Sequence, residues 1–299
     1  MFYNFAYVKK CLIICLMFIS TLATYAEERW AIVVGISEYP ESSGWRSING
    51  ANDIPLIVSM LNRLGFENEN VTILKNKAAT KVNIKEAFLI LQDKLKRGDI
   101  VYFHFSGHGQ RVVDVNGDEG DKGKDESLIP YDAECEYIPG KYTGQNHIID
   151  DELNAWLSGL KSKIGNDGSI IVSLDACHSG GASRLEDDED NPPHRGVENV
   201  FQLPIPVPQK VEKQTPIEWI CISACKSHEV NWEYKTKEGF YCGRLSYALN
   251  KMFVADLTWD KINNALVVEY GKMPLARTPQ HPEVELPKSF NLKQPIVNE

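Results

Sequence analysis

Unbroken apolar runs, separated by segments of helical periodicity, most constrain the fold of this chain of 299 residues. RWAIVVGIS (29–37), DIVYFHFS (99–106) and GSIIVSLDAC (168–177) lack the alternation of a half-exposed strand, which indicates strands buried on both faces. NDIPLIVSMLNRLGF (52–66) and DDELNAWLSGLKS (150–162) place apolar residues at helical spacing. Strands that alternate with helices predict an α/β fold with a mainly parallel sheet.

Three further segments have the pattern of helices. KVNIKEAFLILQDKLKRGD (81–99) predicts a helix that stops at Gly98. GRLSYALNKMF (243–253) and TWDKINNALVVEYGKM (258–273) predict two more, the last with Thr258 as its cap. NVTILK and IEWICISAC add two strands to the predicted sheet.

Two long segments interrupt this rhythm, residues 114–134 and residues 184–216. Both are rich in charge, and the second is also rich in proline, so the sequence predicts two long loops. Strand and helix patterns of similar composition resume after each of them. We therefore predict one domain over residues 27–299, without an internal boundary.

The N-terminus has the order of a secretory signal. Lys9 and Lys10 precede an apolar run over 11–23, and small residues follow up to Ala26. Residues 1–26 are therefore predicted to be a signal peptide that directs export to the periplasm or the medium. The apolar run is short for a membrane span, so no stable span is expected after cleavage, and an uncleaved anchor is the alternative.

Charge and cysteine count narrow the function further. A net charge of −9 leaves no excess of Lys and Arg for a nucleic-acid-binding face, so no nucleic acid is expected as a partner. An odd number of cysteines lies beyond the predicted signal, so at least one thiol is unpaired within the chain. These cysteines are Cys135, Cys177, Cys221, Cys225 and Cys242.

Two apolar runs end in residues that suit nucleophilic catalysis. DIVYFHFS leads into Gly107 and His108, and GSIIVSLDAC ends in Cys177. The carboxyl ends of parallel strands meet at one edge of a sheet, so the two side chains come within reach if the strands are neighbours. An imidazole activates a thiol and later protonates the leaving amine. We interpret His108 and Cys177 as a catalytic pair, with the N–H groups of Gly109 and Cys177 as an oxyanion hole.

Other interpretations of these two strand ends are open. A lone cysteine there is more often a buried small residue, and a His-Gly pair is more often a turn. His178 is a rival base, although adjacent residues after a strand tend to point apart. Ser106 or Ser179 would make a serine hydrolase, but neither lies in a G-x-S-x-G elbow.

HFSGHGQ and LDACHSGG together resemble the catalytic motifs of the caspase-like cysteine peptidases. They are most similar to those of the metacaspases and their bacterial relatives, the orthocaspases; DACHSG (175–180) has the metacaspase form. AIVVGISEYP, CISACKSHEVNWE and GRLSYALNKMF also resemble family segments, so the resemblance covers residues 29–285. It implies a caspase-hemoglobinase-type α/β fold, with a mainly parallel six-stranded sheet flanked by helices on both faces.

The resemblance also implies an activity, that of an endopeptidase that cleaves after Arg or Lys. Cys177 would attack the peptide carbonyl, and His108 would be the general acid and base. Asp53 and Asp175, assisted by Ser106, would hold the cationic side chain, and two carboxylates suit a guanidinium or an ammonium group. The alternatives are that Asp53 caps a helix and that Asp175 orients a loop.

No cofactor is implied for the chemistry, but the resemblance suggests a calcium ion held away from the thiol. Asp125, Asp150 and Asp151 stand at similar motif positions, and flexible sets of oxygen ligands suit calcium. The alternative for Asp150 and Asp151 is favourable charge at the start of a helix.

Two positions depart from the family pattern. Gly50 stands where metacaspases often have a pocket cysteine, so we expect a wider or differently lined pocket. Arg184 stands where a fourth acidic calcium ligand is expected, and a cation there opposes metal binding.

Residues 184–216 follow the nucleophile, in a region that can be cut during activation in this family. An enzyme selective for basic residues could cut its own chain in this loop, and an exposed loop that stays uncut is the alternative. The candidate positions are Arg184, Arg195, Lys210 and Lys213. Expected partners are peptides or proteins with basic residues, acted on by a monomer. The rival functions are a non-catalytic binding or scaffold protein of the same fold and an aspartate-specific peptidase.

Overall fold

The computed structural model describes residues 27–114, 124–177, 192–197, 199–202, 217–253 and 257–287. The predicted signal at 1–26 lies outside these residues. The strands are β1 (Arg29–Gly35), β2 (Val71–Lys75), β3 (Ile100–Ser106), β4 (Gly109–Val113), β5 (Lys124–Leu128), β6 (Ile148–Ile149), β7 (Ser169–Asp175), β8 (Ile220–Ser223), β9 (Glu233–Lys235), β10 (Tyr241–Gly243) and β11 (Glu283–Glu285). The helices are α1 (Asp53–Arg63), α2 (Lys81–Lys94), α3 (Asp150–Ile164), α4 (Arg244–Met252) and α5 (Trp259–Lys272).

A six-stranded sheet in the order β11-β8-β7-β3-β1-β2 forms the centre of the fold. Its strands pair in parallel, except for β11, which runs antiparallel to β8. Helices α2 and α3 pack on one face of the sheet, and α1, α4 and α5 pack on the other. The predicted α/β fold with a mainly parallel six-stranded sheet and helices on both faces is confirmed.

Strand β3 shows why the apolar runs take this position. All seven of its residues are buried, because β1 and β7 flank it in the sheet and helices cover both faces. In such a strand no position faces water, so the sequence shows a continuous apolar run rather than alternation. Both β3 and β7 end at the same edge of the sheet, which is where the candidate site lies.

The segment 114–134 differs from the predicted long loop. Lys124–Leu128 forms β5, which pairs antiparallel with β4 and with the short β6 in a second, three-stranded sheet. Strand β5 carries Lys124, Asp125 and Glu126, and this charged sequence conceals the strand. The backbone pairing of β5 with β4 outweighs its low intrinsic strand propensity.

Two helix ends also differ from the prediction. Helix α2 ends at Lys94, and Gly98 lies in the turn that follows, with a φ of 92°. Thr258 precedes α5, but its hydroxyl donates to the carboxylate of Asp260 rather than capping the helix backbone.

None of the helices in the described part of the chain is both long and apolar enough to cross a membrane.

We predict that the free energy of unfolding depends strongly on Ile171 in β7, which is 2% exposed at the centre of the sheet. Replacing Ile171 with Ala leaves a cavity and should cost about 2–5 kcal/mol in urea unfolding experiments. The matched control is Ile73→Ala in edge strand β2, where the side chain is 47% exposed and the cost should stay below about 1 kcal/mol. Equal losses in the two variants would contradict this assignment of the core.

Two histidines away from the thiol are buried neutral. His104 in β3 shares a hydrogen bond of 2.8 Å with Ser173 Oγ, and His147 lies between Tyr142 Oη at 2.8 Å and Gln110 Oε1 at 2.9 Å. Burial lowers the pKa of each ring to about 3. The unfolded chain binds protons at its histidines below about pH 6.5. The folded state therefore binds fewer protons between pH 6.5 and pH 3, and its stability falls as the pH falls through this range.

We predict that His147→Gln reduces this acid sensitivity, because glutamine offers a similar donor and acceptor without a titrating ring. The free energy of unfolding of the wild type should fall by about 2 kcal/mol more than that of the variant between pH 7 and pH 5. His228→Gln, at an exposed position, is the control and should behave as the wild type. The same pH dependence in His147→Gln and the wild type would show that His147 does not contribute.

Candidate active site

The register of β3 and β7 brings the predicted catalytic residues to one edge of the sheet. Ser106 pairs with Asp175 as the last residue of each strand, and Gly107 N donates to Asp175 O at 3.4 Å. His108 and Cys177 each follow two residues after this last pair. Their two backbone segments therefore leave the sheet side by side, as the sequence predicts.

The imidazole of His108 packs against two aromatic rings, and one of its nitrogens makes a hydrogen bond. Its ring stacks on Trp45 at 4.9 Å between centroids and lies 5.1 Å from the ring of Tyr39. Nε2 lies 2.9 Å from Arg46 O, and a carbonyl oxygen only accepts, so Nε2 carries the proton. Nδ1 therefore holds the lone pair and has no hydrogen-bond partner among the described residues. Burial lowers the pKa of the ring to about 3, so the ring is a neutral acceptor at neutral pH.

Cys177 is completely buried in this structure. Its Sγ lies 3.5 Å from Glu229 O, and Cys225 Sγ lies 3.5 Å from the same oxygen. Contact with Cys177 and burial raise the pKa of Cys225 well above its usual value. The five cysteines beyond the predicted signal form no disulfide within the described part of the chain.

The backbone of Gly196 lies directly against Cys177. A Cβ atom at position 196 would stand 2.9 Å from both Cβ and O of Cys177 and 3.2 Å from its Sγ. Such contacts leave little room for any side chain larger than that of glycine. The thiol is thus covered by a backbone segment of its own chain.

Gly109, the predicted oxyanion donor, begins β4. Ile129 N donates to His108 O at 3.1 Å, so positions 108 and 129 form a hydrogen-bonded pair. Bonded and non-bonded pairs alternate along an antiparallel ladder, so the pair Gly109 and Leu128 is non-bonded. This alternation turns the N–H of Gly109 away from β5.

The predicted pocket residues lie together around an arginine of the same chain. Arg195 Nη1 lies 2.7 Å from Asp53 Oδ2, 2.7 Å from Ser106 Oγ and 3.1 Å from Asp175 Oδ1. Its Nε donates to Glu233 Oε1 at 3.1 Å. The side chains of this ion-pair cluster are buried, so three carboxylates surround one guanidinium group out of contact with water.

Burial and the guanidinium set the pKa values in this cluster. Burial raises the pKa of Asp53 to about 6, although the charge of Arg195 opposes this shift. Burial also acts to raise the pKa of Asp175, but Arg195 and hydrogen bonds from Asn231 and Ser246 outweigh it and leave the pKa below its usual value. The carboxylates hold the pKa of Arg195 well above its usual value against the effect of burial. Arg195 is therefore charged, and Asp53 is the group that takes up a proton on mild acidification.

Neutral donors fix the two aspartates. Ser246 donates to Asp175 Oδ2 from its N at 2.8 Å and from its Oγ at 2.7 Å, and Asn231 Nδ2 donates to Asp175 Oδ1 at 2.9 Å. Gly243 N donates to Asp53 Oδ1 at 2.8 Å. Asn52, rather than Asp53, stands at the N-cap of α1, so the alternative that Asp53 caps this helix is wrong.

Gly50 does not widen the pocket. A Cβ atom at this position would lie 2.6 Å from both Ile36 O and Ser106 O, so the backbone of residue 50 packs directly on the ends of β1 and β3. The expectation of a wider pocket at Gly50 is wrong, because no space lies where the side chain would point.

The segment that carries Arg195 binds to the chain like an added strand. Arg195 N donates to Asn231 O at 3.0 Å, and Glu233 N donates to Pro193 O at 2.8 Å. His194 and Trp232 form the antiparallel bridge between these bonds. Main-chain pairing with one side chain in a pocket is how extended peptides bind along a strand edge.

The three predicted calcium ligands lie near one another. Burial, together with the nearby charges of Asp125 and Asp151, raises the pKa of Asp150 to about 7. The described residues contain no group of three or more acidic, histidine or cysteine side chains with the arrangement of a metal site. Arg184 lies outside the described residues, as does His178.

Glu233 is the pocket residue that the sequence interpretation missed. It lies at the start of β9, at the end of the segment CISACKSHEVNWE, which resembles the cleft-lining segment of the family. The presence of an acidic residue in that segment is the sequence signal that could have placed Glu233 in the pocket. The sequence marks Arg195 only as one of four candidate cleavage positions, and its spacing does not reveal its pairing with the pocket.

Comparison with known proteins identifies relatives of this chain. The caspase domain family matches residues 28–289. Metacaspase-6 of Arabidopsis thaliana is 30% identical over 157 residues, which cover 50% of this chain and 38% of that protein. Metacaspase-1 of Eremothecium gossypii is 33% identical over 164 residues, which cover 52% of this chain and 33% of that protein. The matched region thus spans less than half the length of these curated relatives.

A solved structure shows the same fold. The crystal structure of a protein from Geobacter sulfurreducens superimposes with a TM-score of 0.61 at 22% identity, over 90% of this chain and 98% of that chain. Because the family match spans most of the sequence, this chain belongs to the caspase domain family of peptidases.

Proposed function

We propose that this chain is a cysteine endopeptidase that cleaves peptide bonds after Arg or Lys. One observation carries the proposal: a buried arginine of the chain itself fills an acidic pocket, and the next residue lies against the candidate nucleophile. An arginine side chain of a substrate would find the same carboxylates in that pocket. The peptide bond on the carboxyl side of the substrate arginine would then lie next to the thiol of Cys177.

The chemistry requires only residues of this edge of the sheet. Nδ1 of His108 takes the proton of the Cys177 thiol, and Sγ then bonds to the carbonyl carbon of the substrate. The N–H groups of Gly109 and Cys177 would donate hydrogen bonds to the oxyanion. As the peptide bond breaks, His108 returns the proton to the leaving amine, and water then hydrolyses the thioester.

The pocket favours this proposal over an aspartate-specific peptidase. Asp53, Asp175 and Glu233 would lie against an acidic substrate side chain, and buried like charges repel each other strongly. Nδ1 of His108 has no hydrogen-bond partner among the described residues, and the ring lies at the same edge of the sheet as the thiol of Cys177. A non-catalytic scaffold protein would not require this arrangement. We therefore retain the peptidase as the function to test.

We predict turnover of fluorogenic peptides that end in Arg or Lys, and no turnover of the matched peptide that ends in Asp. Cys177→Ala should abolish turnover, because no other group supplies the nucleophile, while thermal unfolding shows that the variant is folded. Cys221→Ala is the matched control and should retain activity. Turnover of the Asp peptide alone would contradict the pocket assignment, and no turnover together with a thiol inert to alkylation would contradict the peptidase.

We also propose that the enzyme cuts its own chain between Arg195 and Gly196. Of the four basic residues considered in the loop, Arg195 lies in the pocket; the other three lie outside the described residues. The thiol would bond to the carbonyl carbon of Arg195, and the amine of Gly196 would leave with the proton from His108. Cleavage would let the Arg195 segment leave the pocket.

We predict a first-order self-cleavage whose rate is independent of protein concentration, because the bond and the thiol belong to the same molecule. Mass spectrometry should find a fragment that begins at Gly196. Arg195→Gln should suppress it, whereas Arg184→Gln should leave it unchanged. A fragment that begins after Arg184, Lys210 or Lys213, or a rate that rises with protein concentration, would contradict cleavage at Arg195.

Calcium binding, export and a monomeric state are further proposals. Burial and then the charges of Asp125 and Asp151 raise the pKa of Asp150, and a divalent cation would relieve the second of these effects. The three side chains do not have the arrangement of a metal site in the described residues, so calcium binding rests mainly on the sequence motif. Peptide turnover unchanged by a strong chelator would remove calcium from the proposal. Export to the periplasm or the medium rests on the sequence of residues 1–26 alone.

A further inference from the structure

The guanidinium of Arg195 is held at two different positions. Nη1, at the far end of the group, contacts Asp53, Ser106 and Asp175, whereas Nε contacts Glu233 Oε1 at 3.1 Å. Nη2 has no hydrogen-bond partner among the described residues, so recognition rests on Nε and Nη1. Glu233 is thus the carboxylate that recognises the inner nitrogen of the side chain.

Lysine has no nitrogen at that inner position. Counted from Cα, Nε of arginine is replaced by the methylene Cε in lysine, and the ammonium Nζ takes the place of Cζ. A lysine in the same path would turn a methylene group towards Glu233 and stop about one bond length short of the Nη1 position. An ammonium is a point charge, whereas a guanidinium carries donors in a fixed planar arrangement.

Glu233 cannot easily follow a shorter side chain. It is 1% exposed, and both of its carboxylate oxygens are held by Asn49. Asn49 N donates to Oε1 at 2.7 Å, and Asn49 Nδ2 donates to Oε2 at 2.5 Å. The carboxylate therefore stays at the depth that suits Nε of an arginine.

We propose that Glu233 is a specificity-determining residue that makes the pocket prefer arginine to lysine. This inference rests on the proposed peptidase function and narrows it from basic residues in general to arginine. Ser106, Asp53 and Asp175 lie at the end of the pocket, where they would bind either a guanidinium or an ammonium group. Glu233 instead contacts Nε, an atom that lysine lacks, so it distinguishes arginine from lysine.

The test compares two fluorogenic peptides that differ only in Arg or Lys before the scissile bond. Both compete with the same internal segment, and both are assayed on one preparation of the full chain, so the ratio of their kcat/KM values is independent of the active fraction. A charge-assisted hydrogen bond corresponds to a preference of about 10- to 100-fold for Arg in the wild type. Glu233→Gln keeps an acceptor but removes the charge, and it should lower the ratio about tenfold.

Two further variants complete the comparison. Glu233→Asp keeps the charge on a shorter side chain and should give a ratio of kcat/KM values between those of the wild type and Glu233→Gln. If Glu233→Gln does not fold, the ratio in Glu233→Asp is the test. Glu238→Gln, an exposed change five residues away, should leave the ratio unchanged. A wild-type ratio near one, or a ratio unaltered in both Glu233 variants, would overturn the proposal. Failure of the wild type to cleave either peptide would instead count against the peptidase function itself.

Discussion

The buried ion cluster of Arg195 with three carboxylates is the interaction on which the rest of the site depends. Charges lose their hydration when they are buried, so each carboxylate in this cluster is tolerable only with a cation and hydrogen-bond donors around it. Burial, followed by the charge of the neighbouring Asp175, raises the pKa of Asp53 to about 6, although the single guanidinium of Arg195 opposes this shift. Removing the cation from such a cluster typically costs about 3–5 kcal/mol. The pocket is therefore built to hold a positive charge rather than to stand empty.

The cluster draws on parts of the chain that are far apart in sequence. Ser106 and Asp175 come from the paired ends of β3 and β7, Asp53 begins α1 and Glu233 begins β9. Ser246 in α4 lies between the two aspartates: its N donates to Asp175, and its Oγ lies within hydrogen-bond distance of Asp175 Oδ2 and Asp53 Oδ2. Because the central sheet fixes the first two positions, and helix α1 and the paired strands β9 and β10 fix the others, substitutions that loosen the core should also disturb recognition of the charged side chain.

The sequence predicts the parts of this site that are fixed by the sheet, and it fails where long-range contacts decide. His108 and Cys177 follow apolar runs, and neighbouring parallel strands necessarily place their ends together. Asp53 follows from a motif, but nothing in a three-residue strand shows that Glu233 faces the same pocket. Arg195 lies in a long charged loop, where pairing with a pocket formed by other segments leaves no local pattern.

The second sheet was missed for a related physical reason. Strand β5 has the composition of a loop, with Lys124, Asp125 and Glu126 in succession. Its strand conformation comes from backbone pairing with β4, which a local pattern of apolar residues does not reveal.

The strand-like attachment of the Arg195 segment also has a consequence for competition. A ligand tethered to its own binding site acts at an effective concentration on the order of millimolar. At equal affinity, a substrate present at micromolar concentration would occupy the pocket in about one molecule in a thousand. As long as the continuous chain holds the pocket segment at both of its ends, the connectivity of the molecule, rather than the abundance of substrate, determines how often the pocket is open.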